Sequence, residues 1–413
     1  DDAAVFAEAA RAAVLIDAQG AISTLVARLS TGPHVRAAAR ALALAGPRAA
    51  NDLLAALPTT RGEKAILPTA VASERSVTGT IRAARVLARL GPEACARVLE
   101  RFGDLGYRAR NAVARSFATV STKFAGRIDE GVVLGAMDLT VRYAEALVGA
   151  SIVAPPGLYR AELLHRVGET AARVLDLASV LGDRPLIAQA RIALAREGRD
   201  RNHALELLEN ILPSALAARI VGLLDDLPRE GSAPRAPSAK SKNPARAFGT
   251  VLVDAQAADG WLAKCEKFDS KKLAENDPMA PVLQRVLALR GSKLFAGLSG
   301  EELYPVAEIA QPVDAASADA IVREGDPGDA LFVVESGKLA IERGGVEKWT
   351  IGAGAAFGEL ALLDGAPRAA TIVAVEPSRL LRIPREQFEA LLDESPELAR
   401  GVIRTLIGHL RSS

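Results

Sequence analysis

The stretch Phe357-Gly-Glu-Leu-Ala-Leu-Leu-Asp-Gly-Ala-Pro-Arg-Ala-Ala-Thr371 decides how the C-terminal part of the chain is interpreted. Gly358 has no Cβ and lets the backbone approach a ligand closely. Residues Glu359 to Leu363 favour about one turn of helix, and the first N–H groups of a helix lack partners within it. Such groups bind anions. Gly365 and Pro367 then turn the chain back.

Two charged side chains in this stretch suggest a ligand. Arg368 carries a planar fork of N–H donors that fits the two free oxygens of a phosphate group. Glu359 can accept hydrogen bonds from a sugar hydroxyl. Together they indicate a site for a phosphorylated sugar. The alternative is a surface Glu–Arg pair on an ordinary turn, and the spacing alone leaves both interpretations open.

Short β-branched runs, divided by turns rich in Gly and Asp, surround this stretch and predict strands. These runs are 320–323, 331–335, 338–342, 349–351, 370–375 and 380–383. Helical patterns follow from Arg385 to Leu392 and from Pro396 to about Leu410. We therefore predict a C-terminal α+β domain with an antiparallel, jelly-roll-like β-roll flanked by helices.

The stretch resembles the phosphate-binding cassette of cyclic nucleotide-binding domains. That pattern is F-G-E-[LIV]-A-L, a short variable run, and P-R-[AT]-A, and every fixed position is met here. The match is close to the cassette of cAMP-dependent protein kinase regulatory subunits. Gly325, Gly328 and Gly337 stand where the family has upstream turn glycines, and 294–299 resembles its N-terminal helical motif. The resemblance covers roughly residues 287–410.

The resemblance implies a role for each matching residue. Arg368 would pair with the cyclic phosphate, and Glu359 would accept a hydrogen bond from the ribose 2′-OH. Backbone N–H groups of Gly358 and Ala369 would bind the phosphate oxygens. The whole implied ligand-binding set is Gly358, Glu359, Leu360, Ala361, Arg368, Ala369 and Ala370.

The resemblance also bears on the base of the nucleotide. Ala369 stands where a Thr favours cGMP in some eukaryotic members, so cAMP is the implied ligand and cGMP the less favoured one. In the family a C-terminal helix often closes as a lid over the purine. The lid residues implied here are Ile403, Arg404 and Ile407, and the alternative is that they only pack on the roll.

The N-terminal half carries an internal repeat. Residues 40–47 match 85–92, with Gly46-Pro47 and Gly91-Pro92 at the same place 45 residues apart. A left-handed Gly cap and a Pro at the start of the next helix suit a helix, turn, helix unit. A helix pair repeating every ~40–47 residues resembles HEAT or armadillo units. We predict an all-α solenoid, with a generic Ala-rich bundle as the alternative.

The domain organisation follows from changes in composition. Residues 1–228 are predicted to form the HEAT-like helical domain, and 229–246, rich in Pro, Ser and Lys, a flexible linker. Connecting helices are predicted for 247–290, and the nucleotide-binding domain for 291–413. The chain lacks an initiator Met, so we expect it to be part of a longer protein.

Composition and motifs exclude several functional classes. Lys+Arg 51 against Asp+Glu 50 gives a net charge of +1, which does not favour nucleic acid as a partner. The cysteines, Cys95 and Cys265, form no CxxC pair, so a reducing compartment is expected. The four scattered His residues lack metal-ligand spacing, and no catalytic motif is found. We expect no metal, no cofactor and no enzymatic activity.

The functional hypothesis is a regulatory protein whose C-terminal domain binds cAMP and signals to the helical repeats. HEAT-like helices followed by this roll resemble the soluble tail of bacterial membrane proteins that carry a nucleotide-transporter-like domain. That resemblance implies a bacterial, cytoplasmic location, as the cytoplasmic part of an inner-membrane protein. The repeats would then contact a protein partner or an upstream membrane domain. The alternatives are a protein-interaction scaffold with a degenerate nucleotide domain, and an enzyme hidden in the helical region.

Overall fold

The protein consists of two compact units, Asp1–Ala263 and Lys264–Ser413. The computed structural model describes residues 3–16, 20–30, 34–58, 70–120, 127–181, 184–194, 206–210, 212–225, 260–273, 277–295, 298–359, 366–394, 398–399 and 401–403. The first unit is helical, and the second combines helices with two antiparallel sheets. The prediction of a helical N-terminal region followed by a C-terminal β domain is thus confirmed. The linker predicted for 229–246 lies outside the described residues.

Helices make up the first unit. Its α-helices are Ala3–Leu15, Ala21–Arg28, Val35–Ala45, Ala50–Ala55, Ala70–Leu87, Pro92–Glu100, Tyr107–Val120, Glu130–Val153, Leu158–Leu181, Arg184–Leu194 and Ser214–Asp225, with short 3-10 turns at Gly46–Ala49 and Phe102–Asp104. Helix Gly260–Asp269 contains the boundary between the units. No helix in the described part of the chain is long and apolar enough to cross a membrane.

The two copies of the sequence repeat share a local structure. Gly46 and Gly91 both have positive φ, 60° and 116°. Pro47 is the second residue of the 3-10 turn Gly46–Ala49, and Pro92 begins the helix after Gly91. Their ψ values, −142° and 173°, are not those of the left-handed cap predicted, because a following Pro disfavours helical ψ. Equivalent side chains are buried in both copies: Leu42 and Leu87, Ala49 and Ala94, Ala50 and Cys95, Leu54 and Leu99. The assignment to HEAT repeats stays a prediction.

Two helices of 24 residues, Glu130–Val153 and Leu158–Leu181, pack side by side in the middle of the helical unit. Asp129 caps the first by accepting a hydrogen bond from the Val132 N–H at 3.1 Å. Arg219, from helix Ser214–Asp225, donates to Glu145 at 2.9 and 2.8 Å and also pairs with Asp138. These contacts attach a third helix to the pair.

Charged side chains line one buried face of helix Leu158–Leu181. Glu162, Arg166, Arg173 and Asp176 are all at least nine-tenths buried, and they recur at helical spacing. Arg173 faces Asp176 at 2.8 Å, and the Arg166 guanidinium lies 4.3 Å from the centre of the Tyr107 ring. Burial lowers the pKa of Arg166, but nearby groups that include Glu162 raise it to a value above the ordinary one. This face is therefore a network of paired charges within the helical core.

Glu169, which is half-buried on the same helix, joins this network to helix Tyr107–Val120. Tyr107 donates to Glu169 Oε2 at 2.6 Å, and Arg115 donates to Glu169 Oε1 at 3.1 Å. Burial raises the pKa of Glu169, but the charge of His165, the Tyr107 hydrogen bond and the charge of Arg115 bring it below the ordinary value. The carboxylate is thus stabilised by groups from two helices.

Trp261 provides another partner for the buried charges. Its indole Nε1–H donates to Glu162 Oε2 at 2.6 Å, and the two residues are 3% and 0% exposed. Buried indole N–H groups usually find such an acceptor. Trp261 lies in the first turn of helix Gly260–Asp269, three residues before the second unit begins. The last turn of chain before the unit boundary is thus fastened to the helical core.

The second unit has helices on both sides of its strands. Before the strands come helices Met279–Arg290 and Gly300–Ile309 and the 3-10 turn Lys293–Phe295, and after them comes helix Arg385–Glu394. The strands are β1 Gln311–Ala315, β2 Ala320–Val322, β3 Ala330–Ser336, β4 Lys338–Arg343, β5 Val346–Gly352, β6 Ala356–Phe357, β7 Thr371–Ala374 and β8 Ser378–Pro384. Residues 398–399 and 401–403 are also helical.

The strands form two four-stranded antiparallel sheets, ordered β1-β8-β3-β6 and β2-β7-β4-β5. Apolar side chains from both sheets form one core, which includes Phe332, Leu339, Ile372 and Leu380. The arrangement agrees with the predicted jelly-roll-like architecture. Because β6 and β7 belong to different sheets, the segment between them, residues 358–370, joins the two layers.

The helix that precedes the strands is fixed at its start. Ser299 and Glu302 form a capping box, in which the Ser299 hydroxyl accepts from the Glu302 N–H at 3.0 Å and the Glu302 carboxylate accepts from the Ser299 N–H at 2.8 Å. Phe295 packs edge-to-face on Phe388, with ring centres 6.3 Å apart. The 3-10 turn that precedes the strands is therefore in contact with the helix that follows them.

Candidate functional site

Gly358 begins the segment between β6 and β7 with φ +85°, a conformation that strains other residues. A Cβ built there would lie 3.0 Å from the Ala330 carbonyl oxygen and would collide with the Arg368 guanidinium. Glycine is therefore the residue that fits, and the backbone at 358 passes close to the Arg368 guanidinium. The predicted close approach of this backbone to a ligand stays a prediction.

Arg368 is buried below this turn, with 5% of its surface exposed. Its Nη2 donates to the Ala330 carbonyl at 2.7 Å and faces Asp329 Oδ1 at 3.4 Å. Its Nη1 has no hydrogen-bond partner among the described residues. Burial lowers the pKa of Arg368, and the charge of Asp329 opposes this. A buried cation with an open donor is costly unless an anion completes its shell.

The backbone on either side of the Arg368 side chain is held by the turn between β2 and β3. The Arg368 N–H donates to the Asp326 carbonyl at 2.8 Å, and its carbonyl accepts from the Gly325 N–H at 2.9 Å. Gly325 has φ +86°, which explains the need for glycine at this predicted family position. The N–H and the carbonyl group of Arg368 are therefore both hydrogen-bonded to this turn, which fixes the backbone that carries the side chain.

Asp329 joins Arg368 to a second arginine. While Oδ1 faces Arg368, Oδ2 accepts from Arg382 Nη2 at 2.6 Å, and Arg382 Nη1 donates to Gln311 at 3.2 Å. Burial raises the pKa of Asp329, but the hydrogen bond and charge of Arg382 bring it below the ordinary value. We assigned no role to Asp329 or Arg382 from the sequence. The Gly-Asp-Pro-Gly-Asp turn before β3 was the available signal for Asp329.

Aromatic rings pack against the arginine from inside the roll. Phe332 and Phe357 stack with ring centres 5.1 Å apart and planes 9° apart, and the Arg368 guanidinium carbon lies 5.8 Å from the Phe332 ring centre. Such a contact favours a cation over the ring face. The guanidinium is thereby supported from the core while its open Nη1 lies against the Gly358 turn.

The other predicted ligand residues are only partly covered by the structure. Glu359 directly follows Gly358 and is half-buried, while Ala369 is exposed and Ala370 half-buried. Leu360 and Ala361 lie outside the described residues. The structure thus brings Gly358 and Arg368 together. Glu359 and Ala369 directly follow these two residues in the sequence.

The predicted lid is represented by Ile403 alone, since Arg404 and Ile407 lie outside the described residues. Ile403 is 54% exposed. Its exposure agrees with a side chain that does not pack on the roll in this structure, and a lid role stays a prediction. Among the described residues, no group of His, Cys, Asp and Glu could hold a metal ion.

A family model described as "Cyclic nucleotide-binding domain" matches residues 313–395. The cAMP-dependent protein kinase regulatory subunit of Yarrowia lipolytica is 39% identical over 99 residues, 24% of this chain and 26% of that protein. The Cyclic AMP receptor protein of Thermus thermophilus is 37% identical over 130 residues, 30% of this chain and 60% of that protein.

Among solved structures, the regulatory domain of Toxoplasma gondii PKA with cAMP is 37% identical over 28% of this chain and 46% of that one, with a TM-score of 0.26. The chain therefore spans about a quarter and three-fifths of the two curated relatives. Residues 313–395 therefore form a cyclic nucleotide-binding domain that is similar in sequence to these relatives. The matched range contains no part of the helical unit.

Proposed function

We propose that the protein is a cAMP-binding regulator whose C-terminal domain senses the nucleotide and signals to the helical repeats. The observation that carries the binding proposal is Arg368, a buried cation beside the Gly358 turn whose Nη1 has no hydrogen-bond partner in the part of the chain that the structure describes. A charged donor left open in a folded protein favours an anionic partner, because the partner removes the unpaired burial.

The cyclic phosphate would fill this position. Arg368 would donate to its oxygens, together with backbone N–H groups of Gly358 and Ala369, while Glu359 would accept from the ribose 2′-OH. Nη2 of Arg368 contacts Ala330 and Asp329. Nη1 can therefore donate to the ligand while these contacts of Nη2 are kept. Leu360, Ala361 and Ala370 complete the cassette that the family resemblance implies.

Two observations favour cAMP as the nucleotide. The names of the Yarrowia and Thermus relatives associate both with cAMP. Ala369 offers no side-chain hydroxyl, whereas members that prefer cGMP can carry Thr there. cGMP is therefore the less favoured ligand, and Ile403, Arg404 and Ile407 are proposed to close over the base.

The signalling half of the proposal rests on the order of the domains. Residues 1–228 would form the HEAT-like scaffold, 229–246 a linker, 247–290 connecting helices and 291–413 the sensor. Trp261 fastens part of the connecting segment to the helical unit, which supports a route for the signal through it. The repeats would bind a protein partner or an upstream membrane-transporter domain at the cytoplasmic face of a bacterial inner membrane.

Calorimetric titration of the purified chain with cAMP and cGMP tests the binding proposal. We expect cAMP to bind more tightly than cGMP, and Arg368→Ala to weaken cAMP binding about 10- to 150-fold, because one charge-assisted hydrogen bond contributes about 1.5–3 kcal/mol. Arg379→Ala is the matched control, since Arg379 pairs with Glu335 and Asp314 on the strands. The absence of heat and of a thermal shift with either nucleotide would instead support a scaffold with a degenerate domain.

A further inference from the structure

The turn between β4 and β5 lies against the cassette, although neither the resemblance nor the motif pointed to it. It consists of Gly344 and Gly345, with φ +60° and +74°, and Arg343 pairs across it with Val346. Positive φ at both central residues is typical of the tightest two-residue hairpins. The turn therefore presents its flanking residue, Arg343, in a fixed position.

Arg343 reaches the cassette directly. Its Nε donates to the carbonyl oxygen of Ala369 at 3.1 Å. That carbonyl belongs to the peptide joining Ala369 to Ala370, immediately after the buried Arg368. This hydrogen bond orients the peptide group that carries the Ala370 N–H. The preceding peptide, which carries the Ala369 N–H assigned to the phosphate, is held by the β2–β3 turn through the carbonyl of Arg368. The two contacts together orient consecutive peptide groups of the cassette.

Glu324 fastens the same turn from the other side. Its carboxylate accepts from the Gly344 N–H at 2.8 Å, and its own N–H donates to the Thr371 hydroxyl at 2.9 Å. Glu324 therefore links the hairpin turn to the residue that begins β7, just past the cassette. Arg343 thus contacts Ala369 and Glu324 contacts Thr371, at the two ends of segment 369–371. The β4–β5 turn connects these two contacts.

We infer that Arg343 and Glu324 are positioning residues for the nucleotide site, which hold the 369–371 backbone ready to meet the phosphate. The inference rests on the proposed function, because it assigns them to that site. Preorganised backbone donors bind an anion more tightly, since no ordering has to accompany binding. The arginine acts through Ala369, and its charge is not the feature required.

Replacement of Arg343 separates positioning from charge. We expect Arg343→Ala to weaken cAMP binding about twofold to tenfold, the range for one hydrogen bond. Arg343→Gln keeps an N–H donor without the charge and should recover most of the affinity. If charge were the whole contribution, Arg343→Lys would recover affinity and Arg343→Gln would not, which would overturn the positioning role.

A double-mutant cycle tests whether the two residues act through the same turn. Glu324→Ala should weaken cAMP binding about as much as Arg343→Ala, and the double variant should fall short of the product of the two losses, because neighbours in one network are not additive. Thermal unfolding and Arg379→Ala serve as controls against a general loss of structure.

The outcomes distinguish this inference from the proposed function. Wild-type binding with unchanged affinity in Arg343→Ala would refute the positioning role alone. Fully additive losses would refute the shared turn. Absence of cAMP binding by the wild-type chain would refute the proposed function and, with it, the inference.

Discussion

The two units of the protein treat buried charge in opposite ways. The helical unit buries Glu162, Arg166, Arg173 and Asp176 on one helix and gives each an oppositely charged or aromatic neighbour from its own core. Within the described residues, Arg173 Nη1 and Asp176 Oδ2 have no hydrogen bond of good geometry, but they face each other at 2.8 Å as an ion pair. In the described part of the second unit, Arg368 is the one charged residue classed as buried, and it keeps a guanidinium nitrogen open.

This difference gives a criterion for separating structural from functional charge. A buried charge whose partners all come from the protein stabilises a particular packing, and its removal leaves other charges unpaired. A buried charge that the fold supports on one side and leaves open on the other is prepared for a ligand. This criterion predicts that the helical network is structural and that Arg368 binds a ligand.

The same substitution in each unit gives the largest test of this comparison. Arg166→Met should lower the free energy of unfolding of the helical unit by about 3–5 kcal/mol, because Glu162 is left with an uncompensated buried charge. Arg368→Met should change the unfolding free energy by less than about 1 kcal/mol while cAMP binding is lost. Urea unfolding and calorimetry measure the two effects.

Equal changes in the free energy of unfolding for the two variants would contradict the distinction between structural and functional buried charge. Equal destabilisation would mean that Arg368 is also a structural residue, and unchanged stability of Arg166→Met would mean that the helical network contributes little. Glu162→Gln combined with Arg166→Met should recover part of the loss, since it removes the charge left behind.

A pair of glycine substitutions gives an effect of intermediate size. Gly358→Ala should destabilise the second unit by about 1–2 kcal/mol and weaken nucleotide binding, because its φ is +85° and its Cβ would press on Arg368. Gly168→Ala, in helix Leu158–Leu181 with open space around the new Cβ, should stabilise the helical unit by about 0.5–1 kcal/mol. Thermal melts should therefore shift in opposite directions, and a parallel shift would contradict the assignment of strain to Gly358.

The smallest expected effect is a dependence of helical-unit stability on acid. The pKa of Glu169 lies below its ordinary value of 4.5 in the folded protein. Its contribution to stability is therefore complete above pH 4.5 and is lost as the pH falls through the lowered folded value. Urea unfolding followed by far-ultraviolet circular dichroism should show a shallower acid limb in Glu169→Gln than in wild type, and identical limbs would exclude this carboxylate as a contributor.

The candidate site is easier to predict from the sequence than the residues that surround it. Gly358 and Arg368 could be identified because each has a residue-specific chemistry, and the structure brings them together. Arg343 could not be identified, and the turn before β3 was only a weak signal for Asp329, because their contacts lie 26 and 39 residues away along the chain. Charged residues in turns are common, and only the fold selects those that meet the cassette.

The strands show a similar division. Six of the eight strands coincide with β-branched runs, whereas β1 was missed because its sequence, Gln-Pro-Val-Asp-Ala, has a Pro and a largely exposed pattern. β6 has two residues and lacks a periodicity to detect. In the helical unit, the charges of helix Leu158–Leu181 would ordinarily indicate a solvated face, and it is the packing of neighbouring helices that buries them.

The chain contains two tryptophans, Trp261 and Trp349, and they fall one in each unit. Trp261 is buried and bonded to a carboxylate, while Trp349 is 58% exposed on β5. The emission maxima of the two should differ, and Trp349→Phe leaves Trp261 of the helical unit as the single tryptophan, whose emission can be excited selectively. In that variant, a change in Trp261 emission when cAMP is added to the cassette of the other unit would report the passage of the signal without any attached dye.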